Sequence, residues 1–330
     1  MSHKKIGILL LNLGTPSAPD PKAVRAYLKE FLSDPFVVDL PWLLRMILLY
    51  GVILPIRSKK SSHAYQQIWL EEGSPLLIYS KQFTAALNET LDEHFVAVLG
   101  MRYGKPNIAE AVNTLQKWGC QRVLVFPLFP QYSHAATGSV LKAALDALKK
   151  YFNEKDISIQ RAFYNNSYYL QTVADRLKPT LMTFKPEMIL FSYHGLPQRQ
   201  LTQKDVTQVC YRTQCVATTK SLAERLALTE KHYQTTFQSR LGCTEWIRPY
   251  TDEVMQHLAE KGVKRLMVVC PSFVADCLET LEEIGIRLRQ QWLAAGGEAF
   301  YLAPSLNADP RWVAAFKQMI AEHQSTVWYV

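Results

Sequence analysis

The segment MILFSYHGLP (188–197) runs from apolar residues into Ser192, Tyr193 and His194, and then into Gly195, Leu196 and Pro197. It reads as a buried strand that ends in a histidine just before a glycine–proline turn. A histidine in that place either has its ring nitrogens satisfied inside the protein or offers one of them to a ligand. Neutral imidazole accepts protons near pH 7, so the chemistry open to His194 is that of a general base. A second group of candidates lies in ADCLETLEEIG (275–285), after the apolar run RLMVVCPSFV (265–274). On an α-helix Asp276, Glu279 and Glu283 fall at i, i+3 and i+7 and share one face, while Leu278, Leu281 and Leu288 mark another. Like charges one turn apart raise each other's pKa, which suits groups that take up and pass on protons. The same acids have a second use. Asp276 as N-cap with Glu279 at the third helical position makes an acidic capping box, and carboxylates in a first turn offset the helix dipole. That use leaves Glu283, two turns in, unexplained.

The elements that must position these residues alternate. Apolar runs predict strands at 6–14, 95–104, 122–130, 157–165, 188–195, 233–240, 265–274 and 298–304. Amphipathic spacing predicts helices over 137–151, 167–181, 213–228, 252–261 and 278–293. Near-continuous apolar strands separated by helices imply parallel sheets covered on both faces, an α/β architecture. An internal repeat divides it in two. ILLLNLGTP (8–16) matches ILFSYHGLP (189–197), and WGCQRVLVFPLF (118–129) matches KGVKRLMVVCPSF (261–273). Between those pairs GMRYGKPNIAEAVNTLQ and FQSRLGCTEWIRPYTDEVMQ each reach an arginine, then a proline, then a helix. Two similar α/β domains facing each other are expected, with the helix 312–324 packing back on the first. In that register His194 takes the place of Leu13. Both lie at the carboxyl end of a first strand, where open α/β sheets bind ligands.

Composition bounds the function. A chain of 330 residues, 48% hydrophobic and 20% charged, is not a disordered one, and it is long enough for about two domains of roughly 100–200 residues each. The net charge of +8 favours an anionic partner: nucleic acid, an acidic lipid surface or a carboxylate-bearing ligand. Six cysteines without C-x-x-C spacing read as reduced thiols rather than disulfides or a zinc site. Met1-Ser2-His3-Lys4-Lys5 leads straight into the first strand without a secretion-signal pattern, so a cytoplasmic protein is expected. In LPWLLRMILLYGVILPIRSKK (40–60) the apolar stretch between Pro41 and Pro55 has 13 residues and is interrupted by Arg45. That is short of the about 20 residues a membrane-spanning helix requires. Apolar on nearly all sides, the stretch is either a buried helix or an exposed lip.

Taken together, SYHGLP, SFVADCLETLEEI, TFQSRLGCTEWIRPYTDE, LLNLGTP, EEGSPL, GMRYGKP and FPQYSHAATGS resemble the ferrochelatase family, in a single order from about residue 5 to residue 310. The resemblance implies two Rossmann-like domains, each a parallel β-sheet flanked by helices, enclosing a porphyrin cleft. The N-terminal domain would cover 1–160, carry an apolar lip at 36–56 and be joined by the C-terminal helix 309–330; the second would cover 161–308. No nucleotide is implied. Asn12-Leu13-Gly14-Thr15-Pro16 stands after the first strand, where a dinucleotide fingerprint would have G-x-G-x-x-G.

The implied activity is that of a lyase that inserts Fe²⁺ into protoporphyrin IX to give protohaem. A free-base porphyrin carries two pyrrole N–H groups, and both protons must leave as the metal enters. By resemblance His194 accepts them and meets the metal together with Glu279, and Glu283 lies further along the same proton path. Arg102 and Tyr103 correspond to a pair across the macrocycle, Leu13 to a residue above the ring, and Trp246 to an aromatic of the wall. Arg57, Lys60, Ser74 and Tyr132 correspond to positions near the propionates or the cleft rim. The lip suits a substrate collected from a membrane surface, so peripheral contact with anionic lipid is expected and nucleic acid is not.

Some members of the family carry a [2Fe–2S] cluster on four cysteines, three of them in a carboxyl-terminal extension. Here HQSTVWYV has no cysteine and His134, in QYSHAATG, stands at the fourth position, so no cofactor beyond the Fe²⁺ substrate is expected. Cys277 stands where some members have histidine, and Cys210, Cys215 and Cys243 carry no assigned role. Coproporphyrin as substrate, or cobalt as metal, would preserve His194 and Glu279. The long apolar lip favours the less polar protoporphyrin. A tetrapyrrole carrier is a third reading, although a carrier has no need of acids aligned behind a histidine.

Overall fold

In the computed structural model, which describes residues 5–202, 209–242 and 244–327, the apolar runs form two four-stranded parallel sheets. The chain divides into two compact units. One holds the residues up to Phe129, Ser133–Ala162 and those from Ala308 on; the other holds Pro130–Tyr132 and Phe163–Asn307.

In the first unit β1 (Ile6–Gly14), β2 (Phe95–Tyr103), β3 (Arg122–Pro127) and β4 (Ile157–Ile159) lie in the order β2-β1-β3-β4. Central β1 pairs on both sides, from Ile6 opposite Phe95 to Gly14 opposite Tyr103, and from Ile6 opposite Arg122 to Leu11 opposite Pro127. Its side chains from Ile8 to Leu11 are fully buried because both faces are covered. Each such aliphatic chain contributes roughly 1.5–3 kcal/mol by leaving water. One face meets the helices Ile108–Lys117 and Ser139–Leu148 through Val112, Leu115, Val140 and Leu148. The helix Pro310–Val327 brings Phe316 against Phe126, with ring centroids 4.3 Å apart, and against Phe83 at 5.1 Å. The strand expected over 157–165 stops at Ile159. As an edge strand it has only β3 to pair with, and β3 ends at Pro127, which lacks an N–H.

The second unit repeats the plan. Its strands β5 (Met188–His194), β6 (Tyr233–Gln238), β7 (Arg265–Val269) and β8 (Ala299–Leu302) lie in the order β6-β5-β7-β8, all parallel. Leu190, Leu266 and Val268 pack against Met255, Leu258, Ile284 and Trp292. The two units also share detail outside the strands. Met101 donates its backbone N–H to Pro106 O at 2.7 Å and Phe237 donates to Pro249 O at 2.9 Å, each proline following a cis peptide bond. A π-helical stretch follows the third strand of each sheet, His134–Gly138 and Glu279–Leu288. These landmarks correct the arginine match suggested by sequence. Register places Gln238, not Arg240, at the position of Arg102, and Arg240 instead binds Asp252 and Glu253, each at 2.8 Å.

The segment that sequence left as either a core helix or a lip is exposed. Trp42–Leu48 is α-helical, Leu49–Ile53 π-helical and Leu54–Ile68 α-helical. Trp42, Leu43, Ile47 and Ile56 are 60–67% exposed. Arg45 does not interrupt this face. It is turned inward, 8% exposed, and its Nη1 donates to the carbonyls of Val38 and Leu40 at 3.4 and 3.3 Å. Among the described residues no helix is long and apolar enough to cross a membrane.

Candidate active site

In the second unit the carboxyl ends of β5, β6 and β7 bring together the residues able to do chemistry. His194 closes β5, its backbone N–H facing Ser272 Oγ at 3.4 Å and its carbonyl accepting the Tyr211 hydroxyl at 2.9 Å. Its Nδ1 lies 2.6 Å from the carbonyl oxygen of Gly195. A carbonyl only accepts, so Nδ1 carries the hydrogen and Nε2 is the basic atom of the neutral ring. Trp246 and Phe273 flank the imidazole, with centroids at 6.5 and 6.4 Å. Gly195 is required there: a Cβ would stand 2.7 Å from Gln238 O and 3.2 Å from the Trp246 ring.

The acids come from the π-helix after β7, whose i→i+5 bonding is rare and recurs at functional sites. Glu279 and Glu283, one turn apart, are both partly buried. Glu283 is gripped from β6. Ser239 donates its backbone N–H to Oε1 at 2.8 Å and its hydroxyl to Oε2 at 2.5 Å, and Gln238 Nε2 lies 3.4 Å from Oε2. Arg287 approaches Oε1 at 3.8 Å. Burial pushes the Glu283 pKa above the usual carboxylate range, and the charge of Glu279 adds to it; the Ser239 hydroxyl, Arg287 and His194 oppose the rise. Ser239 has φ +66°, a left-handed conformation that costs a serine on the order of 1–2 kcal/mol. Behind these residues Ser192, Gln238, Thr236 and Thr251 form a buried chain of hydrogen bonds.

Asp276 does not belong to the acid stripe. Its carboxylate points into the unit, accepting from Thr280 Oγ1 at 3.0 Å, Ser305 N at 3.2 Å and Asn307 Nδ2 at 2.8 Å. Nor is there a capping box, since the π-helix starts without a side-chain cap. Cys277 is buried, and burial, with the charge of Glu279 second, pushes its thiol well above the ordinary range, so it stays protonated. Of the three thiols close in sequence, Cys215 is fully buried, Cys210 is partly exposed and Cys243 lies outside the described residues.

At the strand ends of the first unit a buried carboxylate, which sequence reading missed, organises the expected residues. Asp34 accepts from Arg102 Nη2 at 2.6 Å, Tyr103 Oη at 2.8 Å and Ser139 Oγ at 2.6 Å. Burial alone would raise its pKa, but these bonds, the Phe36 N–H and the Arg102 charge hold it below the usual range. Tyr103 is fully buried, and burial pushes its phenol far up. Leu13 is half-buried at the end of β1. Ser74 is buried and accepts the Thr15 hydroxyl at 2.7 Å. Arg57 is half-buried, its pKa lowered by that burial, and Lys60 is exposed on the same helix. Tyr132, in the second unit, donates its backbone N–H to Gln214 Oε1 at 2.9 Å, and the Trp246 indole donates to Leu241 O at 2.9 Å.

Gln238 and Ser239 also went unnoticed in the sequence. Their one signal was position, at the end of the strand beside that of His194.

A duplicated parallel α/β unit, with an imidazole and two carboxylates gathered at the strand ends of one copy, defines the class of fold. Solved structures share the fold. SirB from Bacillus subtilis with Fe³⁺ superposes with a TM-score of 0.57 at 14% identity, covering 98% of this chain and 97% of that one. The sirohydrochlorin chelatase SirB from Bacillus subtilis subspecies spizizenii, in complex with cobalt, gives 0.56 at 13% identity, covering 97% and 95%. The family model for ferrochelatase matches residues 5–324. A ferrochelatase of Coxiella burnetii (strain Dugway 5J108-111) is 46% identical over 96% of this chain and 94% of its own length. One of Legionella pneumophila (strain Lens) is 47% identical over 96% and 98%. The chain belongs to the ferrochelatase family, and it is a metal chelatase, a lyase.

Proposed function

We propose that the chain inserts Fe²⁺ into protoporphyrin IX, a step of haem biosynthesis, with His194 as the acceptor of the pyrrole protons. The observation that carries this reading is the 2.6 Å contact between His194 Nδ1 and Gly195 O: because a carbonyl only accepts, Nδ1 bears the hydrogen and Nε2 is the atom left to take a proton. Insertion exchanges one Fe²⁺ for two protons. The first goes to Nε2, and Glu279 and Glu283 pass protons on towards water. A carboxylate whose proton affinity is raised, as at Glu283, is closer to imidazole in strength and suits such a relay. His194 and Glu279 would meet the incoming metal. Trp246, Leu13, Tyr103 and the exposed part of Arg102 are proposed porphyrin contacts, and Arg57, Lys60, Ser74 and Tyr132 are proposed propionate or rim contacts. The exposed apolar helix, with Lys59 and Lys60 beyond it, is proposed to rest on an anionic membrane surface.

The test is anaerobic incubation with Fe²⁺ and free-base porphyrin, following loss of porphyrin fluorescence and appearance of haem. His194→Ala should still bind porphyrin with similar affinity while insertion falls by about 10² or more. Binding of protoporphyrin without insertion of Fe²⁺ by the unaltered protein would overturn this reading, and faster turnover of coproporphyrin or Co²⁺ would correct the substrate. A resident iron–sulfur cluster is not part of the proposal. Stoichiometric iron with acid-labile sulfide in protein purified without air would overturn that point.

A further inference from the structure

Glu283 is held by a neighbouring strand rather than by its own helix. Ser239, the first residue beyond β6, reaches both carboxylate oxygens, one with its N–H and one with its hydroxyl. Ser239 makes that two-point grip from a left-handed backbone, with φ +66°. Unusual backbone conformations persist where the surroundings over-determine them. Here they do. Gly195 N–H binds the Gln238 carbonyl at 2.8 Å, and the Gln238 side chain is tied to Ser192 Oγ at 2.7 Å and to the Glu279 carbonyl at 2.8 Å. Glycine would take this φ without cost, so what serine adds is the hydroxyl.

The geometry points to Ser239 as a positioning residue for metal insertion, one that fixes the Glu283 carboxylate in the proton path from His194. The competitor for that carboxylate is Arg287. Its guanidinium, which also meets the Glu282 carboxylate at 3.4 Å, is 3.8 Å away and its side chain is 53% exposed, so an ungripped Glu283 would be free to turn outward towards it. A displaced acceptor leaves porphyrin binding intact and slows proton departure. The inference rests on the reading of Glu283 as a proton acceptor.

The test compares Ser239→Gly, Ser239→Ala, Glu283→Gln and the double variant Ser239→Gly/Glu283→Gln in single-turnover Fe²⁺ insertion into protoporphyrin IX. Porphyrin affinity and melting temperature are measured for each. Both serine variants should insert about 10-fold more slowly, the low end of the usual loss when an orienting partner is removed. Affinity should be unchanged, and Ser239→Gly should melt no lower than the unaltered protein. The double variant should match Glu283→Gln within about twofold, because the serine acts only through the acid. Full insertion by Ser239→Gly, or losses that multiply in the double variant, would overturn the inference. If Ser239→Gly fails to fold, Ser239→Ala enters the same cycle. Should Glu283→Gln itself insert at the full rate, the reading of Glu283 falls and this inference falls with it. A slow Glu283→Gln beside a fully active Ser239→Gly removes the positioning role alone.

Discussion

His194 and Gln238 stand opposite each other in the parallel pair of β5 and β6, and the Gln238 amide donates to the main-chain carbonyl of Glu279 at 2.8 Å. One side chain therefore links the strand that carries His194 to the helix that carries Glu279 and Glu283. Its other end accepts the Ser192 hydroxyl at 2.7 Å, so the amide has a single orientation that satisfies both contacts. A proton relay requires its members to keep their spacing to within fractions of an ångström, and rigid elements tied by buried hydrogen bonds meet that demand.

The proposed order of proton transfer gives the first expectation. Replacing Glu279 with glutamine should leave the melting temperature nearly unchanged, because no helix cap is lost, yet slow single-turnover insertion by about 10². Glu283→Gln should slow it less, since the group lies further along and water can substitute. A stability loss at Glu279→Gln with full turnover per folded molecule would return that residue to a structural role.

Burial of Glu283 gives a pH signature. Its folded-state pKa is raised, so the folded protein holds this proton more tightly than the unfolded chain does. The group's contribution is therefore fully present below the unfolded value and is lost as pH rises through the folded one. Relative to the unaltered protein, Glu283→Gln should melt at the same temperature or higher at pH 7–8, and the difference should close in acid, at and below about pH 4. A gap that instead widens on acidification would mean that the carboxylate is stabilised, not destabilised, by its site.

Much of this was legible in the sequence, for reasons that can be named. The repeat and the parallel sheets follow from apolar runs without alternation, such as Ile8–Leu11, and His194 stood out as a polar residue closing such a run. Glu279 and Glu283 were legible because one turn separates them in α- and π-helix alike. Asp276 was misplaced because it was counted on an α-helical period that the chain does not adopt there. Its partners, Ser305 and Asn307, lie beyond β8, outside any local pattern. Ser239 carried no signal of a left-handed backbone, since serine is not a residue type that marks one. Asp34 was missed because its partners Arg102, Tyr103 and Ser139 are far from it in the chain.

The exposed helix predicts a separation of stability from substrate capture. Trp42 and Ile47 are 67% and 61% exposed, so their removal forfeits little core burial. Replacing both with serine should shift the melting temperature by no more than about 2 °C. It should raise the apparent KM for protoporphyrin and weaken binding to vesicles containing anionic lipid, with single-turnover insertion of bound porphyrin unchanged. A large fall in melting temperature, or unaltered vesicle binding, would refute the surface role.

The last expectation concerns Asp34 and the two residues expected at the porphyrin wall. Asp34 has a side chain only 2% exposed and meets Arg102, Tyr103 and Ser139, whereas the Arg102 side chain is 26% exposed. Asparagine at position 34 removes the charge but not the shape, leaving a guanidinium short of its partner. Breaking a buried pair costs about 3–5 kcal/mol; with Arg102 partly in water the loss should be about 2 kcal/mol. The depressed pKa of Asp34 fixes the sign: its stabilisation is present above the unfolded value and is lost as pH falls through the folded one. Asp34→Asn should therefore be markedly less stable at pH 7, with the deficit shrinking only in strong acid. Tyr103→Phe separates structure from substrate contact. Its hydroxyl is already given to Asp34, so removing it should cost about 1 kcal/mol while leaving porphyrin affinity within about twofold. A selective loss of porphyrin affinity in Tyr103→Phe, with the melting temperature preserved, would show instead that the phenol leaves Asp34 to meet the substrate.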